Sequence, residues 1–157
     1  MRLDRLRPAF AGLLLAAAVP SHAQTPRPML DYATAAKIRD GCLAVAAQKG
    51  FALGVAVFDN TGRLIAFAKM DGASTGAAEL AQWKGKSAAV YGFPTSETSK
   101  WNGYSAPDMA TFEGGVPFYG QDGTQLGGVG VSGAESKDDV ACGLAGVAAA
   151  GLRGSAK

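Results

Sequence analysis

An α+β fold built on antiparallel strands is predicted by three features of the sequence. Its periodic segments follow one another as helix, hairpin, helix, hairpin, helix, an order that pairs neighbouring strands and departs from the single strands of a parallel sheet. Two strand-forming runs, Leu53 to Asp59 and Arg63 to Met70, are joined by Asn60-Thr61-Gly62, with glycine where a bulged hairpin turn takes a left-handed residue. The third feature is LGGVGVSGA, Leu126 to Ala134, a strand with one face stripped of side chains. Alternate residues of a strand share a face, so Val129 and Val131 point into a core while Gly128, Gly130 and Ser132 point the other way. Glycine in a strand interior marks the close approach of something else. Two readings follow: a helix laid tightly on the bare face, or a flat ligand seated in a groove there.

Each element carries its own signals. Thr25 to Pro28 belongs to a proline-containing lead over residues 24–30, with no pattern of its own. Asp31 to Lys49 has helical spacing, with Ala35, Ile38, Cys42, Val45 and Ala46 on one stripe and Lys37, Arg39, Asp40 and Gln48 off it, and Gly50 ends it. The first hairpin follows. A second helix is predicted from Gly76 to Tyr91, capped by Ser74 or Thr75 and stopped before Pro94. Thr95 to Gly115 is irregular, with helical turns expected at Ser96 to Trp101 and Pro107 to Phe112. Val116 to Tyr119 and Gln125 to Ser132 form the second hairpin around Gln121-Asp122-Gly123. The last helix, Lys137 to Leu152, is rich in small residues and can lie against the bare strand or the first helix.

The N-terminus reads as a secretory signal over residues 1–23. Arg2, Arg5 and Arg7 precede the apolar run Ala9 to Val19, which is short of the ~20 residues a membrane span needs, and Ser21-His22-Ala23 places small residues at the cleavage site. An exported chain, periplasmic or secreted, with one domain over residues 31–153 is expected. The signal carries three arginines and Asp4, so its removal takes 15 basic and 13 acidic residues to 12 of each, leaving no basic field for nucleic acid. It also carries His22, the single histidine. A mature chain without imidazole excludes a Ser-His-Asp triad, a Cys-His nucleophile, the common zinc sites and histidine-ligated haem. Cys42 and Cys142 lie a hundred residues apart. In an oxidising compartment they can pair; otherwise they are two small buried residues that never meet. Neither has metal-ligand spacing. The carboxylates Asp59, Asp71 and Asp138 show no paired catalytic spacing and read as turn and helix-start residues.

Four stretches together resemble the GlcG and HbpS group of small haem-binding proteins, also seen as the C-terminal domain of the corrinoid adenosyltransferase PduO. They are VAVFDNTGRLIAFAKMDGA (Val55 to Ala73), AQWKGKSAAVYGFPTSE (Ala81 to Glu97), GGVPFY with GGVGVSGA (Gly114 to Ala134), and DDVACGLAG (Asp138 to Gly146). The resemblance implies a profilin-like unit, a five-stranded antiparallel sheet flanked by helices. It also implies haem as cofactor and assembly from several copies. The segment from Lys100 to Phe112 departs from the group.

Candidate cofactor-binding residues follow from that reading. Lys84 and Ser87 fit the group's K-x-x-[ST] helix pattern and share a helix face at i and i+3. Lys84 offers a charge to a haem propionate and Ser87 an oxygen to iron or its water; the plainer reading is a salt-bridged lysine and a packing serine. With histidine absent, Met70, Tyr91, Tyr104 and the cysteines are the groups able to reach iron, and Gly128 and Gly130 would floor the groove. No metal site is identified, and no catalytic constellation is present. An exported haem-binding protein serving haem acquisition, detoxification or redox sensing is therefore the leading expectation. A non-haem oligomeric accessory module and a small enzyme acting on an oxidised metabolite are its rivals. Trp101, Tyr104, Met109 and Phe112 add apolar surface that predicts a subunit contact.

Overall fold

The structure, a computed structural model, describes residues 25–101 and 106–156. The predicted signal segment and Tyr104 lie outside the described residues. The elements are α1 (Tyr32–Lys49), β1 (Gly54–Asp59), β2 (Leu64–Lys69), α2 (Thr75–Tyr91), the short α3 (Thr95–Thr98), β3 (Gly115–Tyr119), β4 (Gln125–Ser132) and α4 (Ser136–Ala149). The α+β architecture is as the sequence predicts. The strands form one antiparallel sheet in the order β2-β1-β4-β3.

Local chemistry sets the element ends. Asp31 caps α1 by accepting from the Thr34 N–H at 2.7 Å, and Ser74 caps α2 by accepting from the Ala77 N–H at 3.0 Å. Gly50 and Gly92 end these helices in left-handed conformations. Between β1 and β2, Asp59 accepts from the N–H groups of Thr61 and Arg63 at 2.8 and 3.1 Å, which closes the turn.

The sheet separates two layers. Val55, Val57, Val129 and Val131 face α1 and α4, where they pack with Ile38, Ala46 and Val147. Ala56 and Phe58 face α2 and meet Ala81 and Ala89. The bare face of β4 lies beneath α2: a Cβ added at Gly130 would fall 2.0 Å from the Ala81 carbonyl oxygen and 2.2 Å from the Gly85 nitrogen, and one at Gly128 2.4 Å from the Ala89 nitrogen. Helix backbone therefore occupies the space that a flat ligand would need over these two glycines. Replacing Gly130 by alanine is expected to lower the unfolding free energy by ~1–3 kcal/mol, because backbone cannot yield as a side chain does. Gly76→Ala, whose nearest neighbour would be the Ser74 hydroxyl at 3.8 Å, should instead raise it by about 0.4–1 kcal/mol. Equal urea midpoints for the two variants would show that close approach is not what glycine provides there.

Three expectations need correction. The described sheet has four strands rather than five. Where a fifth would flank β3, only Arg153 pairs, in a single antiparallel bridge with Tyr119. The final helix stops at Ala149 rather than Leu152, because Gly151 turns the chain at φ 73°; of its two expected neighbours it takes the first helix. The predicted turn at Pro107 to Phe112 is not helical. Asp108 sits in the left-handed region at φ 61°, held by an ion pair to Lys86 at 2.7 Å, and Ala110 is gripped from both sides. Its N–H donates to Ser87 Oγ at 2.9 Å and its carbonyl accepts from Thr98 Oγ1 at 2.7 Å.

Candidate functional site

The packing of α2 onto β4 draws one charged side chain inside. Ala81, Gly85 and Ala88 bring the helix down on the glycine strand, and Lys84, on the same flank, passes the end of β4 into the interior. Its path requires Gly114, where a Cβ would fall 2.9 Å from Lys84 Nζ. The ammonium donates to the Val131 carbonyl at 3.1 Å, to Ser132 Oγ at 3.1 Å and to Asp139 Oδ2 at 3.2 Å, so each of its three protons has an acceptor. Asp139 Oδ1 accepts from the Ala134 N–H at 3.1 Å. Both side chains are 2% exposed. The pair thus joins the layers on opposite faces of the sheet around the end of β4.

Electrostatics follow from this burial. Loss of water pushes the Lys84 amine below its usual range, opposed by the neighbouring Asp139 carboxylate and, more remotely, Glu113. The same loss pushes the Asp139 carboxyl up, opposed by Lys84 and the Ala134 N–H. Burial therefore narrows the gap between a charged pair and a neutral amine facing a neutral acid.

A cavity of about 410 Å³ opens from this pair to solvent. Ser74, Ala77 and Leu80 of α2 form one side, the turn Ser132–Ala134 with Ser136 forms the other, and Phe112, 58% exposed, stands at the rim. Lys84, Ser132 and Asp139 form its polar side while Leu80, Ala77 and Phe112 are apolar. Its volume is in the small-molecule range.

The other predicted site residues lie apart from it. Ser87 is wholly buried and holds the Ala110 loop. Gly128 and Gly130 are beneath α2. Met70 is half-buried against the main core, and the Tyr91 hydroxyl donates to the Pro107 carbonyl. Cys42 and Cys142 are bonded to each other, with Sγ–Sγ at 2.03 Å, so neither is a thiol. Among the described residues no group of three or more His, Cys, Asp or Glu is placed to hold a metal ion, and no helix is long and apolar enough to cross a membrane. A second surface feature lies at the far end of α2. Val90, Phe93 and Trp101 are exposed, and the Phe93 and Trp101 rings meet edge to face at 5.0 Å.

The family model described as haem degrading protein HbpS-like matches residues 30–148, from just before α1 almost to the end of α4. The chain belongs to the HbpS-like family. No curated protein matches it at a significant level. Among solved structures, the crystal structure of HbpS is 28% identical with a TM-score of 0.74, covering 84% of this chain and 97% of that one. A double mutant of Streptomyces reticuli HbpS is also 28% identical, with a TM-score of 0.73 and coverage of 90% and 97%. A complex of PduOC with haem, at 24% identity, a TM-score of 0.70 and coverage of 78% and 95%, shares the fold. The family and the flanked antiparallel sheet are those the sequence resemblance implied.

For this HbpS-like chain the sequence picked out Lys84 but missed Asp139, Ser132 and Phe112. Asp139 sits beside Asp138 in the first turn of α4, and the helix-start reading of Asp138 gives no separate role to its neighbour. A usable signal was present: Lys84 falls on the apolar stripe of its helix, and a lysine there needs a carboxylate partner.

Proposed function

We propose that this chain is an exported haem-binding protein that assembles from several copies. The observation that carries the haem reading is the match of residues 30–148, nearly all the helices and strands, to the haem-linked HbpS-like family. The donor set supports a particular kind of site. Histidine is absent from the described residues, both cysteines are consumed in the disulfide, and Lys84 is turned inward to Val131, Ser132 and Asp139, away from the surface. These residues fit a porphyrin held by apolar contact with a weak oxygen or thioether ligand, and not a bis-histidine or thiolate centre. Val90, Phe93 and Trp101 are the surface for that contact, since flat aromatic area exposed to water gains most from covering another flat apolar body. Lys100, 67% exposed and next in sequence to Trp101, pairs with the exposed Glu97 at 3.3 Å and would exchange that partner for a propionate. Bound haem would supply redox and oxygen chemistry; these residues would hold and orient it.

Titrating the mature chain with haemin should give a Soret shift that saturates at fixed stoichiometry, a high-spin ferric spectrum and quenched tryptophan fluorescence. Replacing Phe93 and Trp101 together by alanine should weaken affinity about tenfold, equivalent to ~1.4 kcal/mol. A response that never saturates would instead favour a non-haem self-assembling module, the reading that the glycine-to-helix packing and the exposed aromatic patch also support. Light scattering on the same samples reads the number of copies, and a monomer throughout would remove the assembly from the proposal.

A further inference from the structure

We propose that Lys84 is a nucleophile that forms an imine with a small aldehyde or ketone entering the cavity above it. Three observations converge on this amine. It is a large side chain fully buried among the described residues, it lines a cavity of about 410 Å³, and it has an acid and a hydroxyl within 3.2 Å. A structural lysine that only neutralised Asp139 would not need a small-molecule cavity leading to it.

The lining supports the chemistry. A lysine becomes nucleophilic when desolvation favours the neutral amine, and burial acts in that direction here. Asp139 Oδ2, 3.2 Å from Nζ, is placed to take the ammonium proton. The nitrogen lone pair then attacks the carbonyl carbon to give a carbinolamine. Its oxygen receives the proton from Asp139, directly or through Ser132 Oγ, which lies 3.1 Å from Nζ. Asp139, again a carboxylate, takes a second proton from the nitrogen and passes it to the carbinolamine hydroxyl, which leaves as water as the carbon–nitrogen double bond forms; the product is a protonated imine facing the Asp139 carboxylate, and no oxidant or reductant is consumed. Leu80, Ala77 and Phe112 supply apolar wall beside the hydroxyls of Ser74, Ser132 and Ser136, so the cavity accepts a carbonyl on a short aliphatic chain or a single ring. Asp139, held by the Ala134 N–H at 3.1 Å, acts in this scheme as the proton carrier, and Ser132 Oγ as the acceptor that positions Nζ. The buried amine, its two neighbours and the cavity carry this chemistry independently of haem.

The test uses the unmodified full chain. Incubation with butyraldehyde or benzaldehyde and sodium cyanoborohydride near neutral pH reduces any imine to a stable amine, and peptide mapping locates it. The expected result is one alkyl group per chain, on Lys84, formed at least ten times faster than on the exposed Lys100 or Lys137. That preference should vanish in protein unfolded by guanidinium. In Lys84→Met the fast phase should be absent. In Asp139→Asn the rate at Lys84 should fall and its pH profile move while the exposed lysines react as before. If Lys84 in the wild-type protein is left unmodified, or reacts no faster than exposed lysines, the proposal is overturned without recourse to any variant.

Discussion

Replacing Asp139 by alanine should lower the unfolding free energy by about 3–5 kcal/mol, the loss expected when one partner of a buried ion pair is removed. The reason lies in what stays behind. Lys84 remains 2% exposed among backbone and Ser132, with one proton deprived of its acceptor and its charge uncompensated. The Ala134 N–H also loses the carboxylate oxygen that receives it at 3.1 Å. Lys84→Met should cost a comparable amount by orphaning the carboxylate. The double variant Lys84→Met, Asp139→Leu should recover much of the loss, since two apolar side chains of similar size carry no desolvation penalty. Urea unfolding with an unchanged slope reads all three. Single-variant losses under ~1 kcal/mol would mean that water reaches the pair and screens it as at a surface.

The glycine strand shows what was legible in the sequence and what was not. Its two faces were readable, because strand alternation assigns Val129 and Val131 to one side and Gly128 and Gly130 to the other whatever covers them. What covers the bare side was not readable, because a helix backbone and a porphyrin ask the same thing of a strand: no Cβ. Only the position of α2, with the Ala81 oxygen 2.0 Å from where a Gly130 Cβ would stand, separates the two. The hairpins were legible for a local reason, since Asp59 and Gly62 build their turn within a few residues. The pairing of β1 with β4, which joins the two hairpins into one sheet, was not readable from either turn, because it is a contact between distant segments.

The candidate site was harder to see because it is made by distance in sequence. Lys84 and Asp139 are 55 residues apart, and Phe112 reaches the cavity rim from an irregular segment. Periodicity places Lys84 on an apolar stripe but says nothing of which acid comes to meet it. The loop from Thr95 to Gly115 was misread near Pro107 because its conformation is set by long-range grips, Ser87 and Thr98 on Ala110 and Lys86 on Asp108, rather than by its own propensities. With histidine absent from the mature chain, Met70 and Tyr91 are among the side chains chemically able to reach iron. The fold puts one against the core and ties the other to the Pro107 carbonyl, so elimination named chemically able residues without bringing them together.

Reducing the Cys42–Cys142 bond, or replacing both cysteines by alanine, should lower the unfolding free energy by ~4–5 kcal/mol, the chain-entropy value for a loop of about 100 residues. Pairing and separation were both open from spacing alone. The structure decides for pairing, because α1 and α4 lie so close that a Cβ at Gly146 would fall 2.2 Å from the Ile38 carbonyl oxygen, and the two Cα atoms come within 4.7 Å. The loop so closed contains the entire sheet, α2 and the Lys84 cavity. Its effect is therefore expected chiefly on the unfolded chain, which is held more compact while the bond lasts. Two signatures follow in urea: the midpoint falls on reduction, and the slope rises because a freed chain exposes more surface. A domain with ordinary stability of about 5–15 kcal/mol would be left folded but marginal, and the apolar contacts of Ile38, Ala46 and Val147 would then hold α1 and α4 together unaided. Oxidised and reduced protein unfolding at the same urea concentration would show that the bond does not constrain the unfolded chain.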